Sequence, residues 1–338
     1  VIYSILKEKY KAHKTIGNQN NHLGLPLTIL SLEEDNEVLI LEMGMNHLGE
    51  ISYLTSIAKP DVAIITNVGT AHIGNLGSRE NILKAKLEIL EGLNPNGVLI
   101  INNDNDLLHK WYLENKDKYH IITIGIYKNS DYMANIIEKN EWSSTFSCNN
   151  VIYKVPVGGE HFIYNALAGV ATGKEFNVSD EEIKDGILNF ELSSNRMSLI
   201  TTNGYTIIDD SYNANFDSMS YAIKYLGSLS GRSIAVLGTM KELGSYSEDL
   251  HKRIGTVVKN EKIDILVTVG DEASYINEGA IEAGYTKENS YHFKDNKTAI
   301  EFINTIKKQE DNILVKASNS MNFKEIVEGI KWGGYKWN

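Results

Sequence analysis

The chain has 338 residues, 42% of them apolar and 23% charged, a composition that supports a packed core and excludes a disordered chain. Its formal net charge of −11 excludes general nucleic-acid binding, which needs a basic footprint. A single cysteine, Cys148, excludes an internal disulfide, and no apolar run approaches the ~20 residues that cross a bilayer.

Taken in order, Val1, Ile2, Ile5 and Leu6 have amphipathic spacing, so residues 1–13 read as the tail of a helix whose start is missing. Residues 17–30 carry Asn18, Asn20, Asn21, Gly24 and Pro26, a polar turn feeding a short apolar segment. Val38–Leu41 is an apolar strand ended by Glu42. A helix over 49–58 is stopped by Pro60. Val62–Ile65 then reads as a parallel strand buried on both faces, and the two strands with the helix between them form a right-handed βαβ unit. In an open α/β sheet ligands sit at the carboxyl ends of strands, which marks Thr66, Asn67, Gly69, Thr70 and His72 as a candidate site. Glu42 and His72 are candidates to meet a hard cation; Mg²⁺ is usually held by one or two carboxylates plus substrate phosphates.

Ser78 is a good N-cap for the next helix, and its two lysines differ. Helical spacing puts Lys84 on a charged face with Glu80, Glu88 and Glu91. Lys86 falls on the apolar face with Ile82, Ile89, Leu90 and Leu93. An amine there loses its hydration and its pKa falls. A neutral amine reacts with CO2 to give an anionic carbamate that binds metal; the plain alternative is a lysine that snorkels its ammonium to the edge.

GVLIIN (97–102) and HIITIGI (120–126) are further apolar strands. Short alternating segments over 131–157, with Asn149-Asn150 as a turn, predict an antiparallel hairpin at the sheet edge. Gly158-Gly159-Glu160-His161 leads into a small-residue helix, FIYNALAGVATG. A second alternation of strands and helices begins after 190–196, with strands near 205–209, 233–238, 264–269 and 312–316. The expected class is α/β: a central, mostly parallel-sheet domain over 1–192 and a C-terminal Rossmann-like domain over 193–338, divided at about Ser193. There is no Gly-x-Gly-x-x-Gly, so a dinucleotide cofactor is not supported.

The stretches GNQNNHLGLPLTIL (17–30), LEMGMNHLGEI (41–51), TNVGTAHIGNLGS (66–78), KAKLEIL (84–90), DDSYNANFDSM (209–219) and the LGTMKELG stretch (237–244) resemble the Mur ligases, in the same order and over nearly the whole chain. The resemblance is strongest to the branch that joins D-alanyl-D-alanine to a UDP-muramyl tripeptide. It implies a cytoplasmic, monomeric, ATP-dependent peptide ligase with an ATPase central domain and two Mg²⁺ ions. One Mg²⁺ falls to Glu42, and the second to His72 and a Lys86 carbamate; His72 and Lys86 are then also the catalytic candidates. For ATP it implies Asn165 at adenine, Arg196 at the phosphates, Asp210 at the ribose and Tyr212 beside the nucleotide. Asn21 and Thr70 fall on the muramyl side and Asn213 and Asn215 on the side of the incoming amine. The substrates are small molecules, with no nucleic-acid partner and no membrane span.

The resemblance also implies a phosphate loop and a uridine-nucleotide domain before residue 1. No G-x-x-x-x-G-K-[ST] is present, so residues 1–338 alone are expected not to catalyse. Three departures stand out: Phe162 where the family often has a second asparagine, Thr239 where it commonly has aspartate, and Asn319 in a segment that commonly carries arginine. The last two border the amine side. They keep open a Mur-type ligase with a different amine substrate, beside a non-catalytic ligase-like protein.

Overall fold

A computed structural model describes residues 1–191 and 195–331. The chain forms two compact units, Val1–Gly69 with Asn75–Glu191, and Thr70–Gly74 with Leu192–Asn338. The boundary expected at Ser193 lies outside the described residues.

In the first unit, α1 (Ile2–Leu6) is followed by β1 (Ala12–Lys14), α2 (Gly24–Leu30), β2 (Val38–Ile40), α3 (Glu50–Ala58) and β3 (Val62–Ile65). The short α4 (Ile73–Leu76) then leads to α5 (Arg79–Leu87), β4 (Val98–Asn102), α6 (Asp106–Asn115) and β5 (His120–Gly125). The unit ends with β6 (Tyr132–Met133), β7 (Asn135–Lys139), β8 (Ser144–Cys148), β9 (Val151–Val155), α7 (Glu160–Glu175) and α8 (Asp180–Leu188). β3, β4, β5 and β6 make a parallel sheet in that order. β4, inside the sheet, is buried along its whole length as a strand covered on both faces should be, whereas β3, expected to be buried on both faces, is the edge strand and alternates partly buried Val62 and Ile64 with buried Ala63 and Ile65.

Three expectations need correction here. Residues 1–13 are not one helix remnant: the helix ends at Leu6 and 12–14 is a strand. β2 does not pair with β3 in a βαβ unit; it pairs in parallel with β1. The hairpin expected over 131–157 is a separate three-stranded antiparallel sheet, β7-β8-β9, turned by Asn149 and Asn150 in left-handed conformation. Asparagine tolerates that region at little cost, which suits a two-residue turn.

The second unit contains β10 (Ser198–Thr202), β11 (Tyr205–Asp209), α9 (Phe216–Ser228), β12 (Ser233–Gly238), α10 (Ser247–Asn260) and β13 (Ile265–Val269). α11 (Ser274–Glu282), β14 (Ser290–Phe293), α12 (Asn296–Ile306), β15 (Asn312–Lys316) and α13 (Lys324–Lys331) complete it. The strand order is β10-β11-β15-β12-β13-β14, parallel except for the β10–β11 hairpin. Ile207, Val236, Val267, Val315 and Phe323 are among its fully packed core residues. β15, the last strand among the described residues, pairs with β11 on one side and β12 on the other. Ahead of it the Arg232 guanidinium grips the buried Asp311 carboxylate with two hydrogen bonds of 2.8 and 2.6 Å. On the flank of the sheet, α10 and α11 touch backbone to backbone at Gly255 and Gly279. A Cβ on Gly255 would overlap the Ile276 carbonyl, and one on Gly279 the Lys252 carbonyl.

Candidate functional site

In the first unit Glu42 follows β2 and is fixed from two directions. Its backbone N–H donates to Thr15 Oγ1 at 2.9 Å, and the Asn20 side chain donates to its Oε1 at 2.9 Å. The carboxylate is exposed, and Oε2 has no hydrogen-bond partner among the described residues. Asn21 accepts instead from the backbone N–H groups of Leu23 and Gly24, so its side-chain oxygen turns the chain into α2. Asn20, rather than Asn21, therefore supports the carboxylate. The sequence held no signal to rank them, because both sit in the same polar turn.

α5 begins as expected, with Ser78 Oγ accepting from Asn81 N at 3.1 Å. It ends at Leu87, and residues 88–91 tighten into a 3-10 turn. That change of pitch overturns the charged face expected for Lys84, which makes no ion pair among the described residues. Glu88 swings to the start of α3, accepting from Gly49 N at 2.8 Å and Ser52 N at 3.2 Å, while Glu91 takes the Ser52 hydroxyl at 2.5 Å. A carboxylate at unsatisfied helix N–H groups is well placed electrostatically. Lys86 is half-buried on the helix that also carries the buried Ile82 and Ala85, and it makes no ion pair or hydrogen bond among the described residues. Burial alone pulls its ammonium below the ordinary lysine range, which raises the share of neutral amine. No hydrogen bond or ion pair joins Glu42 to Lys86.

Asn165 lies on α7, exposed and with no side-chain hydrogen bond among the described residues. An amide in that state can offer both a donor and an acceptor to a ligand edge. Phe162, one turn earlier, is buried and packs its ring against His161 and Phe190 at centroid distances of 4.1 and 6.1 Å. It belongs to the packing of the helix.

Residues 70–74 group with the second unit. Thr70 donates its N–H and its hydroxyl to Asp217 Oδ2 at 2.8 and 3.0 Å, so both donors serve to hold the loop. His72 sits in left-handed conformation, with Nδ1 2.5 Å from Glu242 Oε2. A carboxylate there takes the Nδ1 hydrogen and leaves the lone pair of a neutral ring on Nε2, the arrangement that orients metal-binding histidines. Glu242 was not singled out from sequence, although it lies in the LGTMKELG stretch.

Around the end of β11, Asp210 is buried, with Met197 N donating to Oδ1 at 3.2 Å and Lys316 Nζ donating to Oδ2 at 2.5 Å. The Arg196 guanidinium stacks on the Tyr212 ring, 4.1 Å from its centroid. Asn213 Oδ1 accepts from Ala214 N, and Asn215 caps α9 through Ser218 N. Asn319 donates to the Tyr212 carbonyl at 3.0 Å. Thr239 is buried, and its carbonyl accepts from Ser318 N. Arg196, Asp210, Tyr212, Asn213 and Asn319 are thus brought together in this unit, while Asn215 faces its own helix.

The Thr239–Leu243 loop rests on His251, which is fully buried on α10. His251 Nε2 accepts from Met240 N at 2.9 Å, and its Nδ1 donates to the Ser247 carbonyl at 2.7 Å. Only the neutral ring can do both. Burial lowers the His251 pKa, with Lys241 assisting and Glu272 and the Ser247 carbonyl opposing. A histidine depressed in the folded state binds more protons when unfolded, so its stabilising contribution is intact above about pH 6.5 and is lost as pH falls through that value. The thermal midpoint of the protein is therefore expected to fall between about pH 7 and 5, and His251→Gln to flatten that slope. Equal slopes for both proteins would disprove the assignment.

Among the described residues no group of three or more His, Cys, Asp or Glu side chains is placed to hold a metal ion. Mg²⁺ needs less from protein, since it keeps waters and takes phosphate oxygens. Taken each in its own unit, Glu42 presents an exposed Oε2 and His72 an oriented Nε2, and both are donor types that suit such an ion. Also among the described residues, no helix is long and apolar enough to cross a membrane.

Residues 1–173 match the family model for the Mur ligase middle domain, and residues 195–319 match that of the Mur ligase glutamate ligase domain. The UDP-N-acetylmuramoyl-tripeptide–D-alanyl-D-alanine ligase of Bacillus subtilis (strain 168) is 38% identical over 335 residues, covering 98% of this chain and 72% of that protein. The ligase of the same name from Escherichia coli (strain K12) is 32% identical over 329 residues, covering 95% of this chain and 71% of its own. Among solved structures, MurF from Acinetobacter baumannii superposes with a TM-score of 0.90 at 31% identity, covering 98% of this chain and 73% of the other. MurF from Thermotoga maritima in complex with ADP gives 0.86 at 27% identity, with coverage of 98% and 76%.

Proposed function

The chain belongs to the Mur ligase family, and from that premise we propose that it serves as the ATP-dependent ligase joining D-alanyl-D-alanine to a UDP-N-acetylmuramoyl tripeptide. The observation that carries this reading is the 38% identity to the Bacillus subtilis ligase along 98% of the chain. In the reaction the terminal carboxylate of the tripeptide takes the γ-phosphoryl group of ATP. The dipeptide amine attacks that carbonyl carbon, phosphate leaves, and an amide remains. Transfer of a phosphoryl group to a carboxylate crowds negative charge, and catalysis consists mainly of positioning and of offsetting that charge.

The residues divide the work by chemistry. Bound Mg²⁺ supplies the positive charge that phosphate oxygens need. Glu42 offers it a hard oxygen, with Asn20 holding the other oxygen in place. We assign a second ion to Nε2 of His72, which Glu242 orients, and to a carbamate on Lys86. Asn165 faces adenine, Asp210 the ribose side and Arg196 the phosphates; the fork of an arginine stays charged and matches phosphate oxygens in pairs. Asn21, Thr70, Asn213 and Asn215 shape the loops on the acceptor and amine sides. We assign the reaction to the cytoplasm, where ATP is supplied, and to a monomer.

Thr239 and Asn319 favour one second reading, a ligase of this family with a different amine. A substrate panel separates the two. In the full-length protein, with the phosphate loop that the resemblance implies, and with ATP, Mg²⁺ and UDP-muramyl tripeptide, phosphate release is expected with D-alanyl-D-alanine, with a product heavier by the dipeptide less water. Release with another amine and none with D-alanyl-D-alanine would establish the second reading. No release with any amine would overturn both.

A further inference from the structure

Lys316 is the most deeply buried ammonium in the second unit, 2% exposed at the end of β15, and no role above uses it. Burying a charge is costly unless it is paired and hydrogen-bonded. Here it is both: Nζ donates to Asp210 Oδ2 at 2.5 Å and to the Asn213 carbonyl at 2.9 Å. Burial pushes the Asp210 carboxyl up and the Lys316 ammonium down, and each charge opposes the other's shift.

Asp210 passes the constraint on. Its Oδ1 takes Met197 N, next to Arg196, and Tyr212 N donates to the Asn195 carbonyl at 3.0 Å. Arg196 then lies over the Tyr212 ring. Three residues beyond Lys316, Asn319 holds the Tyr212 carbonyl, and Ser318 both caps the Lys241 N–H and approaches the Ala214 carbonyl at 3.4 Å. The 210–214 loop is therefore clamped along one side by the residues that follow β15, and Lys316 makes the only charged contact of that clamp among the described residues.

We infer that Lys316 is a positioning residue for nucleotide binding: it fixes Asp210, and through Asp210 and Tyr212 it presets the Arg196 guanidinium for an anionic phosphate. This rests on the reading that Arg196 and Asp210 face ATP. Lys316 itself is enclosed and touches no ligand.

The test is direct binding of ADP with Mg²⁺, measured by calorimetry together with the thermal midpoint of each protein. Arg196→Ala and Asp210→Asn test the underlying reading; if neither weakens ADP, that reading fails. With the reading intact, Lys316→Met is expected to weaken ADP about tenfold, the size of one charge-assisted hydrogen bond. A lowered midpoint with unchanged ADP affinity would make Lys316 merely structural and would overturn the inference.

Removing one partner of a buried pair often prevents folding, whereas removing both is tolerated better. The double variant Lys316→Met with Asp210→Asn therefore decides the matter even if the single variant does not fold. If Lys316 acts through Asp210, the double variant binds ADP as Asp210→Asn does, because coupled residues are not additive. A double variant at least about fivefold weaker than Asp210→Asn would show an independent action of Lys316 and overturn the inference.

Discussion

Lys86→Ala is expected to lower ligation by about a hundredfold to a thousandfold, the usual cost of deleting one charge-positioning group from a transferring site. Short carboxylates such as acetate or formate are expected to restore part of the loss. The reasoning starts from burial. Lys86 has no counter-ion among the described residues, and burial lowers its pKa, so a larger fraction of the amine carries a free lone pair at neutral pH. That lone pair adds to CO2, a proton leaves nitrogen, and the side chain ends in an anion of carboxylate shape. Alanine removes the anion and leaves a space that a small carboxylate can fill. Unchanged activity in Lys86→Ala would instead identify a snorkelling lysine at the edge of the core. Loss without rescue, accompanied by a lower thermal midpoint, would identify a packing role and refute the carbamate.

The second large effect concerns stability. Gly279→Ala is expected to destabilise the protein by about 2 kcal/mol, and Gly279→Val by more. Helix propensity alone predicts the opposite sign, since alanine in a helix interior is better than glycine by about 1 kcal/mol. Geometry decides against it. The new Cβ would overlap the backbone of Lys252, including its carbonyl, and backbone cannot swing aside as the end of a side chain can. Gly255 presents the reciprocal problem to Ile276 and Ala280, so neither helix can retreat without opening the other contact. Thermal denaturation of the protein measures this directly; a raised midpoint in Gly279→Ala would mean that the two helices separate easily and that propensity wins.

How much of this was legible in the sequence depended on where each signal was stored. β3, β4 and β5 announced themselves as continuous apolar runs, although only the inner strand β4 is buried along its whole length and β3, at the edge, is not. The strands that went unread are short or lie at margins: β1 is Ala-His-Lys, and β10 and β14 are the two edges of the second sheet. Edge strands are half exposed, so nothing requires them to be apolar. Lys86 was legible because its spacing set it among apolar neighbours. Lys84 was misread because the helical register assumed for Glu88 and Glu91 ends at Leu87. Asn20, Glu242 and Lys316 gain their meaning from residues 22, 170 and 106 positions away. Contacts of that kind are products of tertiary structure, and no local pattern encodes them.

The position of β15 sets a timetable for the second unit. Among the described strands this one is made after all the others of its sheet, yet it lies inside the sheet, between β11 and β12. Until residues 312–316 leave the ribosome, β11 and β12 each wait with an unpaired edge, and the Asp210 and Arg232 side chains wait for their partners on the same late segment. Such distant pairings are slow to form and leave strands open to wrong partners meanwhile. A premature stop or a proteolytic cut before Asn312 would thus remove the middle of the sheet, not its margin, leaving two strand clusters with nothing to join them.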